Sequence, residues 1–332
     1  MKKILILCLT VCLLSLSVYA DDTQKGSSRY ESKKEEVVKY KPKVIYHTNA
    51  YRLYKMTETT NVHRVYSDSS TKDFKREVSY YITLTIFNKP DNGFQTLKIV
   101  IDSMSYKLTE GDKVIEFNSQ DDKIKPIRLK DLEAISVPLN RQFDMTYSPY
   151  GEVAKIESPD IQEAIDFIKD GDAKYGTKNK DEMINLIWFD GLSDARLKHI
   201  TDVQKILLSQ EPIAKDSIWS SPFTIQIDGK DFIDTVNAKI VEYNNGKFVI
   251  EAKTNQLKPV KRDSYFYGVT KPARIESAKG DGFYIIEISP RGIISKVDAE
   301  FIIESNCKVR FEPFYEQVDS KMVWEYLGQF KL

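Results

Sequence analysis

Apolar side chains recur at every second residue through most of residues 44–147, and this period of two constrains the fold more than any other feature. Tyr80, Ile82, Leu84 and Ile86 share one face, as do Leu97, Ile99 and Ile101, and then Met104, Tyr106 and Leu108. The cleanest case sets Arg141, Phe143, Met145 and Tyr147 against the polar Gln142, Asp144 and Thr146. Antiparallel strands with one packed face and one wet face produce this alternation. The turns agree with it. Asp91-Asn92-Gly93 supplies the positive φ angles of a tight hairpin, and Ser148-Pro149-Tyr150-Gly151 returns the chain into residues 152–156.

The period then changes to that of helices. Ser158 is placed to cap a helix that has Pro159 at its first position, Ile161, Ile165 and Ile168 on one stripe, and Gly171 at its end. A second helix is expected over residues 180–190. A third begins near Ser193, turns Leu197, Ile200, Val203 and Leu207 inward and stops before Pro212. Alternation resumes with Phe223, Ile225 and Ile227, with Val236, Ala238 and Ile240, and with Phe248, Ile250 and Ala252 after Asn244-Asn245-Gly246. Residues 283–288 and 293–303 form another pair around Ser289-Pro290-Arg291-Gly292. A last strand, residues 322–330, is expected to put Trp324, Tyr326 and Phe330 on one face.

Residues 143–158 align without a gap on residues 284–299, sharing the Ser-Pro-x-Gly turn and a lysine, Lys155 or Lys296. An Asn-Gly hairpin lies upstream of each, at Gly93 and Gly246. The expected fold is therefore α+β and mostly antiparallel β: two related curved β-sheet halves, half-barrel-like, with a three-helix insert between them. The first half covers residues 44–157, the insert 158–212 and the second half 213–332.

The N-terminus has the layout of a secretory signal over residues 1–20: Lys2 and Lys3, an apolar run from Ile4 to Leu16, then Val18-Tyr19-Ala20. Cleavage is expected between Ala20 and Asp21. The apolar run is shorter than the roughly 20 residues of a membrane-spanning helix, so no transmembrane segment is expected to remain. Anchoring as a lipoprotein through Cys12 fits less well, because Val11 is bulkier than the residue that normally precedes a lipidated cysteine. Residues 21–43 mix Lys25, Arg29, Lys33, Lys34, Lys39, Lys41 and Lys43 with Glu31, Glu35 and Glu36, the composition of a charged, disordered leader. The expected location is periplasmic or secreted. Loss of the signal removes Cys8 and Cys12, leaving Cys307 without a partner for an internal disulfide. It also removes two of the 49 basic residues against 49 acidic, so the mature chain is close to neutral and is not expected to bind nucleic acid.

No motif carries chemistry. The histidines His47, His63 and His199 have neither metal-ligand spacing nor a nucleophile elbow, and each is expected at the surface or at a boundary. The run Lys169-Asp170-Gly171-Asp172 starts like a calcium loop but meets Lys174 where a ligand belongs. No cofactor is expected. Phe167, Trp188 and Phe189 are candidates for an apolar groove between helices and sheet that would take a lipid-like ligand, or are simply core.

The order of features resembles the exported bacterial proteins grouped as domain of unknown function 6263. The residues that carry the likeness are 102–119, 141–157, 211–219 and 283–298. The chain departs from the family's Gly-Asp before the tryptophan, having Lys215-Asp216-Ser217-Ile218-Trp219. The resemblance implies an envelope or secreted location and a β-rich fold, and it implies no activity. Three roles stay open: a non-enzymatic protein binding an apolar ligand or an envelope partner, an envelope hydrolase using paired carboxylates, or a structural envelope component.

Overall fold

The computed structural model describes residues 37–121, 129–174 and 182–332, with side chains for all of these except 167–174 and 182. The expected signal, its Ala20/Asp21 cleavage point and the leader up to residue 36 lie outside the described residues. The last residues of that expected leader are built into the fold: β1 (Lys39–Tyr40) pairs with β8 (Ile213–Ala214).

The chain continues through β2 (Ala50–Tyr66), β3 (Thr71–Ile86), β4 (Gln95–Glu110), β5 (Lys113–Asn118), α1 (Lys130–Ser136), β6 (Gln142–Tyr147) and β7 (Val153–Glu157). Helices α2 (Pro159–Lys174), α3 (Glu182–Gly191) and α4 (Asp194–Thr201) follow. The remainder is β9 (Ile218–Ile227), β10 (Lys230–Asn244), β11 (Lys247–Thr254), β12 (Lys258–Pro259), β13 (Ala273–Ile288), β14 (Ile294–Val309) and β15 (Glu312–Lys331).

The two expected halves do not form separate sheets. The C-terminal β15 pairs antiparallel with β2 from Phe314↔Tyr66 to Lys331↔Ala50, joining them into one open, curved, 13-stranded antiparallel sheet. Alternate residues of its long strands turn inward. On β2, Tyr54, Met56 and Val62 are buried, and on β15 so are Val318, Met322 and Trp324. The helices lie against this inner face. Trp324 donates from Nε1 to the Ile200 carbonyl of α4 (2.9 Å), and the Tyr80 hydroxyl donates to the Ile135 carbonyl of α1 (3.0 Å). These bonds satisfy polar tips that burial would otherwise leave without water.

Two expected boundaries move. Helix α2 runs through Gly171 to Lys174. Helix α4 stops at Thr201, leaving Val203 and Leu207 outside it, because Asp202 takes extended angles and its carboxylate accepts from the Gln204 amide (3.0 Å). Both residues still pack inside or against the fold: Val203 is buried and Leu207 partly so. One strand face is also corrected. A bulge between Tyr326 and Gly328 reverses the alternation, so Phe330 points outward and stacks on Tyr51 with ring centroids 5.2 Å apart.

The aligned segments match in geometry. In β6–β7 the pairs are Asp144↔Glu157 and Met145↔Ile156, with a register shift between Thr146 and Tyr147. In β13–β14 they are Ile285↔Asp298 and Ile286↔Val297, with the shift between Glu287 and Ile288. The strand before each also agrees, Leu97↔Met145 against Ile250↔Ile286. Both Ser-Pro-x-Gly turns close with the glycine amide on the serine carbonyl (2.9 Å), at φ +89° for Gly151 and +70° for Gly292. A crossing segment rests on each bare glycine, Gln204 on Gly151 and Ile45 on Gly292.

Candidate functional site

The inner face carries a chain of alternating charges. Arg64 donates from Nε to Glu316 (2.8 Å), and Glu316 lies 2.6 Å from Lys230 Nζ. Lys230 also pairs with Asp228, Asp228 with Arg76, and Arg76 with Asp131 through two bonds of 2.8 and 2.6 Å. The Tyr106 hydroxyl closes the series on Asp131 (2.7 Å). Burial by itself would raise the Asp228 carboxyl, but the adjacent Lys230 and Arg76 charges outweigh it and hold the group below the usual carboxylate range. Burial would likewise lower Lys230, and Asp228 and Glu316 raise it instead. Three cations thus balance three anions, the arrangement under which buried charge is tolerated.

Beside this chain lies a cavity of about 60 Å³, bordered by Glu58, Arg76, Asp131, Asp190, Arg196 and Asp228. It is large enough for a few water molecules. Its carboxylates are engaged. Glu58 accepts from His199 Nε2 (3.2 Å), Asp131 and Asp228 bind Arg76, and Asp190 binds Arg262. The Asp190 carboxyl is raised, to about 6, because burial outweighs the Arg262 charge. His199 is itself a correction to the surface placement expected for the histidines, being 3% exposed, whereas His47 is exposed and His63 pairs with Asp73 (2.6 Å) at the surface. Among the described residues no cluster of His, Cys, Asp and Glu is arranged to hold a metal ion.

The second feature is the seam of the sheet. The continuous strand path is β9-β10-β11-β13-β14-β15-β2-β3-β4-β6-β7, with the short β12 and β5 paired to β10 and β4 along the edges that also carry β11 and β6. Among the described residues β9 pairs only with β10 and β7 only with β6, so each has one edge without a strand partner there. The two ends of the path border one groove of about 300 Å³. Its apolar wall comes from Val153, Ile156, Ala195, Ile225, Phe232 and Ile233, and its charged side chains are Lys155, Asp194, Lys198 and Asp231. Ile233 is 47% exposed. At one end of the seam residues 207–208 cross from side to side. The Leu208 amide donates to the Tyr150 carbonyl (3.2 Å), the Leu207 amide donates to Ser221 Oγ (2.9 Å), and Trp219 Nε1 donates to the Leu207 carbonyl (2.9 Å).

Of the expected groove residues, Trp188 lines a cleft of about 590 Å³ beside α2 and α3, together with Asn140, Arg141, Ala164 and Ile184. Phe167 lies outside the described side chains. On α3 the buried stripe is Met183 and Ile187, one turn apart, while Trp188 and Phe189 are half-buried beside it. Trp188 donates from Nε1 to Glu133 (3.0 Å) and lies under Arg141, 5.5 Å from its ring centroid. The seam had no local signature. Which strand edges stay unpaired depends on β15 meeting β2 across the whole chain.

No protein-family model matches the chain, and no curated protein matches it. Among solved structures it is similar to lipovitellin, in a structure of lipid–protein interactions in that protein: TM-score 0.42, 10% identity, 86% of this chain and 26% of the lipovitellin chain. The chain thus spans about a quarter of lipovitellin's length. It is also similar to OpdQ of Pseudomonas aeruginosa (TM-score 0.23, 8% identity, 84% of this chain and 99% of that one). A third is an outer membrane channel of Pseudomonas putida F1 (TM-score 0.27, 8% identity, 86% and 97%). All three likenesses are distant and assign no role.

Proposed function

We propose that this is an exported, non-enzymatic interaction protein of the bacterial envelope that engages a partner at the seam between β7 and β9. The observation that carries the reading is that the two ends of the strand path border one groove, and among the described residues neither has a strand partner on that side. The cavity on the inner face is small and the cleft beside α2 and α3 is bordered by Asn140, Arg141, Asp160, Glu163 and Trp188, whereas the groove at the seam runs along two strand edges that, among the described residues, have no strand partner. Unpaired edges are a liability that folded proteins usually blunt or cover, so a seam left open invites a partner. Hydrolysis by paired carboxylates draws less support, because Asp131, Asp190 and Asp228 at the cavity each hold an arginine and Glu58 accepts from His199. Export follows the signal-like first 20 residues and the resemblance to the exported family. The register-matched hairpins are read as an internal duplication.

The test is photo-crosslinking in cells. A photoreactive residue at Ala154 or Ile233 is expected to give discrete adducts with another envelope polypeptide, while one at Phe311, on the exposed β14–β15 turn, gives none. Adducts of equal yield at all three positions, or at none, would remove the reading. N-terminal sequencing of the mature protein is expected to begin at Asp21, and retention of residues 1–20 would remove the export claim.

A further inference from the structure

The direction of the strands says what is missing from the seam. Neighbours along the path β9-β10-β11-β13-β14-β15-β2-β3-β4-β6-β7 are all antiparallel. The path holds eleven strands, so its two ends run in the same direction. An all-antiparallel ring requires an even number of strands, and β7 and β9 therefore cannot close on each other in that pattern. One strand running opposite to both completes it. At one end of the gap the chain's own residues 207–208 lie between the two sides, bonding the Tyr150 carbonyl of the turn before β7 and the Ser221 and Trp219 side chains of β9.

The matched hairpins indicate the character of that strand. Strand β7 corresponds in register to the start of β14, and the edge of β14 that would face the seam is filled by β15. There Lys296 pairs with Glu325, Val297 with Trp324 and Asp298 with Val323. The corresponding residues of β7 are Lys155, Ile156 and Glu157. Both lysines pair along their own strand with an acid two residues on, Lys155 with Glu157 (2.6 Å) and Lys296 with Asp298 (2.8 Å).

We propose that the seam takes an extended segment of a partner polypeptide, added antiparallel to both β7 and β9, with an acidic residue opposite Lys155 and a large apolar residue opposite Ile156. This rests on the interaction reading above and names the kind of partner. Main-chain hydrogen bonds to two edges supply affinity, and the side chains opposite Lys155 and Ile156 supply selection.

The test uses the full mature chain and a synthetic peptide with the sequence of residues 320–327, the strand that fills the matching place beside β14. Hydrogen exchange is expected to show saturable protection of amides in Val153–Glu157 and Ile218–Ile227 together. Lys155→Glu is expected to weaken the peptide about three-fold, and a peptide with lysine in place of Glu325 to recover the loss. Protection of neither edge, or of one alone, overturns the proposal. So does protection of both edges that grows with protein concentration without peptide, which assigns the seam to a second copy. Seam adducts in the crosslinking experiment with no peptide protection would leave the interaction reading standing and remove strand addition alone.

Discussion

Arg76 on β3 and Asp131 on α1 face each other through two near-parallel hydrogen bonds of 2.8 and 2.6 Å, both side chains almost wholly buried. This pair ties the inner face of the sheet to a helix, and the same guanidinium also holds Asp228. Removing one partner would leave an uncompensated charge in the interior, and that costs more than the pair itself contributes. Arg76→Ala is expected to lower stability by about 3–5 kcal/mol in urea denaturation. Replacing the ion pair by Arg76→Met with Asp131→Leu should cost less if Asp228 retains Lys230. A double variant no more stable than Arg76→Ala would place the importance of the site elsewhere.

Acid should act first through His199. Burial lowers its pKa below the usual imidazole value, outweighing Glu58, which raises it; Arg196 and Lys205 add to the lowering. The folded state therefore prefers the neutral ring, with Nε2–H on Glu58 Oε2 and Nδ1 left without a partner. The unfolded chain takes up the proton near pH 6.5, so this contribution is complete above that value and declines as pH falls below it. Glu58, lowered because His199, Arg196 and Arg76 together outweigh its burial, loses its own contribution as pH falls below about 4.5. Unfolding free energies at pH 7.5 and 5.5 should thus differ less in His199→Gln than in the parent. An unchanged difference would assign the acid sensitivity to another group.

Much of the sheet was legible because its strands alternate, and even its defects left a trace. The apolar phase passes from Ile101 to Met104 without keeping step, and the structure places a bulge there, where Tyr81 pairs with Ser103 and Ile82 with Ile101. The slip before Phe330 was hidden because Leu327, Gly328 and Gln329 carry no strong alternation of their own. Helix α1 escaped notice for a different reason. It is seven residues long, its N-cap Leu129 makes no side-chain cap, and one of its buried positions is Asp131. The charge chain was illegible on principle, since Arg64, Lys230 and Glu316 read as solvent-facing until long-range pairing turns them toward one another.

Cys307 should behave as a core side chain. It is 1% exposed, its Sγ lies 3.4 Å from Ser305 Oγ, and burial together with the nearby Glu316 charge pushes its thiol up to about 11. A thiol that is both protonated and covered does not react as a nucleophile. At pH 8 the native protein beginning at Asp21, in which Cys307 is the one cysteine, is expected to leave a disulfide reagent unconsumed over hours and to react with one equivalent once unfolded. Rapid reaction of the native protein would mean that this part of β14 opens far more readily than its burial allows.

The two Ser-Pro-x-Gly turns offer the sharpest test of their equivalence. Gly151 and Gly292 both lie at positive φ, where any other side chain is strained. Each also supports a crossing segment: a Cβ on Gly151 would meet the Gln204 amide, and one on Gly292 would stand 2.6 Å from Ile45 Cγ1. Gln204 in turn bonds the Tyr150 and Ile206 carbonyls, and the Ile45 amide donates to the Gly292 carbonyl (2.8 Å). Gly151→Ala and Gly292→Ala are each expected to cost about 1–3 kcal/mol, from backbone strain plus displacement of the crossing segment. Ile45, Gly151 and Gln204 border one cleft, so any departure of the double variant from the sum of the two costs measures coupling between the two seats. A Gly292→Ala protein as stable as the parent would mean that the seat beneath Ile45 yields freely, and the two turns would then match in geometry without sharing a structural role.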